Sequence, residues 1–309
     1  MQSSTFNFKD EDGIDIFVYK WQPEGAPKAA VQIAHGMAEH ALRYERVAES
    51  LTKAGYICYA NDHKGHGKTA GDFENTGYMG QGGWDGTVND LKELTDIIKT
   101  ENPNIPFFFL GHSMGSLMGQ DYIQQWGDKI EGLKGVILSG TNGSQSKLLI
   151  FLGTLIAKAQ LKKGPQKRNE KLDDMTFGAF NKPYEPGETK FQWLSRDQDE
   201  VNKYVADKYC GFVCTTSFFV ELLLGLKKIW NKGNELKIPK DLPILILAGD
   251  KDPSSNMGKG VEVLIKRYEK YGIKNITKKI YEGARHEVFN ETNRDEVIQD
   301  LVKWLDEHI

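Results

Sequence analysis

The chain has 309 residues, 39% of them hydrophobic and 27% charged, with a formal net charge of −3. That balance excludes the basic face of a dedicated nucleic-acid binder, and no window holds the ~18 uninterrupted apolar residues of a membrane-spanning helix. Met1–Asp12 is polar, without the apolar segment of an export signal. Cys58, Cys210 and Cys214 are odd in number and lack metal-type spacing, so reduced thiols in a cytoplasmic protein are expected. Cys210 and Cys214 are four apart and would share one face of a helix.

Thr5–Lys9 and Ile14–Trp21 alternate apolar and polar residues around Asp10-Glu11-Asp12-Gly13, which predicts a hairpin with one buried face. From Ala29 the pattern changes. Ala29–Ala34, Ile57–Ala60, Phe107–Leu110, Gly135–Leu138 and Ile244–Ala248 are short, nearly continuous apolar runs, as expected of strands covered on both faces. Helix-length amphipathic segments separate most of them, most clearly Tyr44–Ala54 and Trp84–Thr100. Ile276–Tyr281 reads as a last strand and Arg294–His308 as a closing helix. The expectation is an α/β fold: a mostly parallel eight-stranded sheet, an antiparallel N-terminal hairpin and helices on both faces. The alternation stops between about Gly143 and Lys237, a span too long for a loop in a compact domain. Residues 144–237 are therefore predicted to form an inserted helical cap over the sheet's C-terminal edge, with 1–143 and 238–309 as the core.

Phe107–Leu110 runs into Gly111-His112-Ser113-Met114-Gly115, and a helix-like segment, Leu117–Trp126, follows. A serine on so sharp a strand-to-helix turn has a strained backbone and an exposed hydroxyl, and the flanking glycines leave room for the close approach of main chain. Ser113 is the predicted nucleophile. Its base must come late in the chain, and the late histidines are His286 and His308. His308 is penultimate and on the closing helix. His286 follows the last strand, where a loop returns to the sheet edge, and is the predicted general base. His112 adjoins Ser113 but points to another side of the turn. An acid to orient His286 is expected after Ile244–Ala248, where Asp250 and Asp252 both stand in Gly249-Asp250-Lys251-Asp252-Pro253, and spacing does not choose between them.

Ala29–Ala34 ends in His35-Gly36-Met37-Ala38-Glu39-His40. In this loop the backbone N–H of Met37 is predicted to pair with that of Met114 as an oxyanion hole, leaving both methionine side chains free to line a pocket. His35 and His40 lack the spacing of zinc motifs and are read as buttresses of the loop. No metal site is predicted and no cofactor is required.

Taken in order, residues 35–40, Asp62 with Gly65-His66-Gly67, residues 111–116, residues 249–253 and Tyr281-Glu282-Gly283-Ala284-Arg285-His286-Glu287 resemble the monoacylglycerol lipase and lysophospholipase branch of the α/β-hydrolases, the serine aminopeptidase S33-like group. The resemblance covers nearly the whole chain. It implies the α/β-hydrolase fold, Ser113, Asp252 and His286 as a catalytic triad, and Met37 and Met114 as oxyanion donors. Many hydrolases of this fold place the acid three residues after the glycine, which selects Asp252. The implied activity is hydrolysis of acyl esters such as monoacylglycerols or lysophospholipids. The alternatives are an aminopeptidase or amidase on the same residues, for which Glu185, Glu188 and Glu221 are unclustered candidate anchors, and a non-catalytic binding protein of the same fold. The apolar stretches Leu148–Ala157 and Phe212–Leu226 suggest an acyl-chain pocket beneath the cap. Lys158, Lys162, Lys163, Lys167 and Arg168 after the first of these suggest peripheral contact with an anionic membrane surface.

Overall fold

A computed structural model describes all 309 residues. Eight strands form one sheet: β1 (Gln2–Lys9), β2 (Asp15–Gln22), β3 (Ala29–Ala34), β4 (Tyr56–Asn61), β5 (Phe107–His112), β6 (Leu133–Ser139), β7 (Ile244–Gly249) and β8 (Ile276–Tyr281). Their order is β1-β2-β4-β3-β5-β6-β7-β8. The hairpin β1–β2 and the β2–β4 pair are antiparallel, and every pairing from β4 through β3 to β8 is parallel. This is the mostly parallel sheet with an antiparallel hairpin that the sequence pattern predicts, in the α/β-hydrolase arrangement that the resemblance implies.

Ten helices accompany the strands. α1 (Glu45–Lys53), α2 (Gly83–Glu101) and α3 (Met114–Trp126) follow β3, β4 and β5. Between β6 and β7 come α4 (Lys147–Gln160), α5 (Glu170–Phe177), α6 (Gln198–Ala206), α7 (Thr216–Ile229) and α8 (Lys232–Glu235), with no named strand among them. α9 (Lys259–Lys270) and α10 (Arg294–Asp306) flank β8.

The continuous apolar runs make sense in this setting. Successive side chains of a strand point to opposite faces, so Phe107 and Phe109 enter one apolar layer while Phe108 and Leu110 enter the other. The first layer holds Val88 and Leu91 of α2, Met118 and Tyr122 of α3, and Leu264 of α9. The second holds Leu51 of α1 and Leu301 and Trp304 of α10. The helices between β6 and β7 are continuous with the first layer through Ile150 of α4 and Phe218, Phe219 and Leu222 of α7. A Cβ on Gly225 of α7 would collide with the Trp84 indole of α2, so glycine there permits the close packing of α7 on the core.

Cys58, Cys210 and Cys214 are buried and unpaired. Cys210 and Cys214 lie in the irregular segment before α7, so they do not share a helix face. No helix is long and apolar enough to cross a membrane.

Candidate active site

Ser113 occupies the turn between β5 and α3 with φ +51° and ψ −118°, a left-handed conformation unusual for a side-chain-bearing residue. The two glycines of the motif are required by contact. A Cβ on Gly115 would sit 2.6 Å from the His35 carbonyl oxygen, and one on Gly111 would sit 2.6 Å from the Gly115 carbonyl carbon. β5 ends at His112 and α3 begins at Met114, so Ser113 alone makes the turn between them. The parallel sheet brings the ends of β5, β7 and β8 to the same edge, and each contributes a loop.

His286, in the loop after β8, places Nε2 2.8 Å from Ser113 Oγ. Its Nδ1 lies 3.0 Å from Asp252 Oδ2, in the loop after β7. Asp250 lies elsewhere: its Oδ1 accepts the Gly283 N–H at 2.7 Å and braces the turn beneath His286. The sequence reading overlooks Ser254. Its N–H donates to Asp252 Oδ1 at 2.9 Å, its hydroxyl donates to Asp252 Oδ2 at 2.9 Å, and its oxygen lies 3.0 Å from His286 Nδ1. The only local signal for this was a serine two residues after the acid.

His286 and Asp252 are buried, with 3% and 0% of their surface exposed. Burial, the largest influence on each, opposes their charged forms. The Asp252 charge and hydrogen bond outweigh it at His286, whose pKa is raised above 6.5. At Asp252 the His286 charge and the hydrogen bonds of His286 and Ser254 outweigh it in turn, and the carboxyl lies below its usual range. His286 packs against the tilted rings of His112 and Trp193, with both ring centroids 4.9 Å away. Its loop is also tied to the segment between β6 and β7: Glu287 N–H donates to the Leu194 carbonyl at 2.8 Å.

The loop after β3 lies against Ser113, since a Cβ on Gly36 would be 3.2 Å from Ser113 Cβ. In that loop Gly36 N–H donates to Glu39 Oε1 at 2.6 Å and Ala38 N–H to His66 Nε2 at 3.1 Å. The Met37 and Met114 amides, by contrast, have no acceptor within the chain. The side chains of the two methionines part company: Met37 lines the cavity at Ser113, whereas Met114 is packed into the sheet core. The expectation that both line the pocket is therefore corrected for Met114, because the first turn of α3 points that side chain inward.

His35 and His40 anchor this loop. His35 Nε2 accepts the His63 N–H at 2.9 Å, and His40 Nε2 bonds to Asp207 Oδ2 at 2.8 Å. Burial is the main reason that His63 and His112 are held down to about 3 and His66 to about 4. All three are neutral in the fold, while in the unfolded chain they take up protons below about 6.5. Stability is then retained above about pH 6.5 and declines as pH falls towards 4, because the unfolded chain binds more protons. By pH 5 the loss is about 2 kcal/mol per imidazole, opposed by His286, whose shift is upward. Urea midpoints at pH 7 and pH 5 check this, with a clear fall at pH 5 expected. An unchanged midpoint would show that these imidazoles accept protons without unfolding.

The cavity at Ser113 has a volume of about 1050 Å³. Its floor is Gly36, Met37, His112 and Ser113, and Trp193, Leu194, Phe177 and Phe212 from the segment between β6 and β7 form apolar walls. Its rim is acidic. Glu170, Asp173, Asp174, Glu185 and Glu188 line it, with Lys190 the one lysine. Glu185 and Glu188, three residues apart, thus share one group with the acids of α5, while Glu221 lies apart and accepts the Trp84 N–H at 3.2 Å.

Comparison with known proteins adds to this geometry. A family model described as "Serine aminopeptidase, S33" matches residues 25–293. The chain is 28% identical over 307 residues to a monoacylglycerol lipase of Mycolicibacterium smegmatis, covering 99% of this chain and 98% of that protein. It is 28% identical over 302 residues to the mouse monoglyceride lipase, covering 96% of this chain and 89% of that one. A crystal structure of a thermostable carboxyl esterase from Bacillus coagulans in complex with glycerol superposes with a TM-score of 0.91 at 28% identity, covering 100% of this chain and 99% of the esterase.

Proposed function

The chain belongs to the serine aminopeptidase S33 family and is a hydrolase of the esterase and lipase type, and on that premise we propose that it cleaves acyl esters such as monoacylglycerols or lysophospholipids through an acyl-enzyme on Ser113. The observation that carries this reading is the unbroken relay from Ser113 Oγ to His286 Nε2 at 2.8 Å and from His286 Nδ1 to Asp252 at 3.0 Å, at the floor of a large cavity.

The chemistry follows from that relay. His286 Nε2 takes the hydroxyl proton as Oγ attacks the ester carbonyl. Buried Asp252 stabilises the imidazolium and holds the tautomer with its proton on Nδ1. The Met37 and Met114 amides, without other acceptors, donate to the oxyanion, and losing one such donor typically costs about 10²–10³ in rate. His286 then protonates the leaving alcohol, and water activated by the same imidazole releases the acid. Residues 144–237 act as a lid whose aromatic walls receive the acyl chain.

A second reading, an aminopeptidase on the same residues, draws support from the acidic rim, which suits an ammonium group. Initial rates on p-nitrophenyl esters of graded chain length, beside aminoacyl nitroanilides, separate the two. Ester turnover is expected to exceed nitroanilide turnover by about 10² or more, with a preference for chains long enough to reach Trp193 and Phe177. Faster cleavage of the nitroanilides would establish the aminopeptidase. Failure of a fluorophosphonate to label Ser113 would instead support a non-catalytic homologue.

The lid also supports a membrane contact. Leu148, Leu149 and Phe151 of α4 are 63%, 64% and 57% exposed, and Lys147, Lys158, Lys162 and Lys163 flank them. An apolar helix face bordered by lysines inserts shallowly into an anionic interface. Co-sedimentation with anionic vesicles at low salt, weakened by Leu149→Asp and Phe151→Asp, is the expected result, and no binding at low salt would end the idea. The buried, unpaired thiols suit a reducing compartment such as the cytoplasm.

A further inference from the structure

Three side chains that take no part in the proposed reaction meet where the loop after β3 touches the turn after α6. A ring nitrogen of His40, a carboxylate oxygen of Asp207 and Cys210 Sγ lie within 4.8 Å of one another. We propose that His40, Asp207 and Cys210 form a binding site for a thiophilic divalent cation of the zinc class.

The donor set is the first argument. One imidazole nitrogen, one carboxylate oxygen and one thiolate match zinc, whereas magnesium and calcium take oxygen ligands. Donor atoms around a tetrahedral zinc ion are separated by about 3.3–3.8 Å at ordinary bond lengths. Closure from the observed spacing therefore asks for about 1 Å of side-chain movement.

Preorganisation is the second argument. Tyr209 N–H donates to Asp207 Oδ1 at 2.8 Å, which leaves Oδ2 to face His40. Gly211 N–H and the Tyr204 hydroxyl donate to the Ala38 carbonyl at 2.9 Å and 2.8 Å. The two segments are thus held together by bonds that the ion would not disturb. The His40 and Asp207 side chains are 12% and 36% exposed, so an ion can enter from solvent.

Charge is the third argument. The nearby guanidinium, Arg43, bonds to Glu39 at 2.5 Å and to Glu287 at 2.7 Å. With Asp207 there are three carboxylates to one guanidinium, so the neighbourhood favours a cation.

Binding replaces the His40–Asp207 hydrogen bond with two metal bonds. The proton on His40 Nε2 moves by way of solvent to Nδ1, the Cys210 thiol proton is released to solvent, and Sγ becomes the third ligand. Water fills the fourth position, as befits an exchangeable ion. Because His40 shares its loop with the Met37 amide, the bound ion cross-links that loop to the segment holding Trp193 and Tyr204.

The test reads binding without substrate and so is independent of the esterase reading. Cobalt(II) titrated into the untagged full-length chain, kept reduced with a non-chelating phosphine, is expected to give a thiolate-to-cobalt charge-transfer band saturating at one equivalent. Cys210→Ser should lose the band and Cys214→Ser should keep it. Zinc should raise the melting temperature of the wild type by a few degrees and leave that of Cys210→Ser unmoved. No band in the wild type, or a band that survives Cys210→Ser, overturns the site. If Cys214→Ser does not fold, the wild-type and Cys210→Ser titrations still decide.

Discussion

Ser113→Ala is expected to lower turnover of an acyl ester by roughly 10⁴- to 10⁶-fold with little change in substrate affinity. The size follows from what the hydroxyl does. Without Oγ there is no acyl-enzyme, and the buried His286 has no proton to accept from a nucleophile fixed 2.8 Å away. Residual activity would come from the cavity and the free amides acting on water. The substitution removes one oxygen at a strained turn, so the fold should survive, and circular dichroism beside the rate measurement checks that point. A folded Ser113→Ala protein that keeps more than about one-hundredth of the wild-type rate would show that the reaction runs through another group.

Asp252→Asn is expected to cost about 10⁴-fold in turnover, and Asp250→Asn no more than a few-fold. Asp252 is 0% exposed and its Oδ2 accepts from both His286 and Ser254. An amide there removes the charge that stabilises the imidazolium and can donate to Nδ1, which fixes the wrong tautomer for proton transfer from Ser113. Asp250 bonds to the Gly283 N–H, and an asparagine carbonyl accepts that bond equally well. Rates of the two variants on one ester, measured together, settle the assignment, and a larger loss at position 250 would reverse it. The raised pKa of His286 predicts further that kcat/KM declines as pH falls through a value above 6.5, since the base must be neutral to act.

The acidic rim bears on specificity. On the proposed esterase reading an acyl chain needs apolar walls, and Trp193, Leu194, Phe177 and Phe212 offer them. The carboxylates at the mouth would repel a fatty-acid product as it forms its own carboxylate, and like charges across a confined opening cost energy even where water enters. On the proposed esterase reading, the rim therefore favours product release and disfavours anionic substrates.

The amino-acid sequence by itself determined the sheet, its antiparallel hairpin and the serine turn. Phe107–Leu110 is apolar on both faces because the strand is central, and Gly111 and Gly115 are glycine because main chain passes where a Cβ would stand. Such signals are local, carried by periodicity and by single residues whose backbone admits few alternatives. Spacing does not choose between Asp250 and Asp252, the resemblance points to Asp252, and tertiary structure alone decided that Ser254 joins it at His286, that the Met114 side chain turns inward while Met37 faces the cavity, and that Glu170, Asp173 and Asp174 share one rim with Glu185 and Glu188. It also brought His40 to Asp207 across 167 positions of chain. These outcomes depend on where a side chain points and on which distant loop packs beside it. Packing of the whole molecule sets both, and neither is written in the spacing of neighbouring residues.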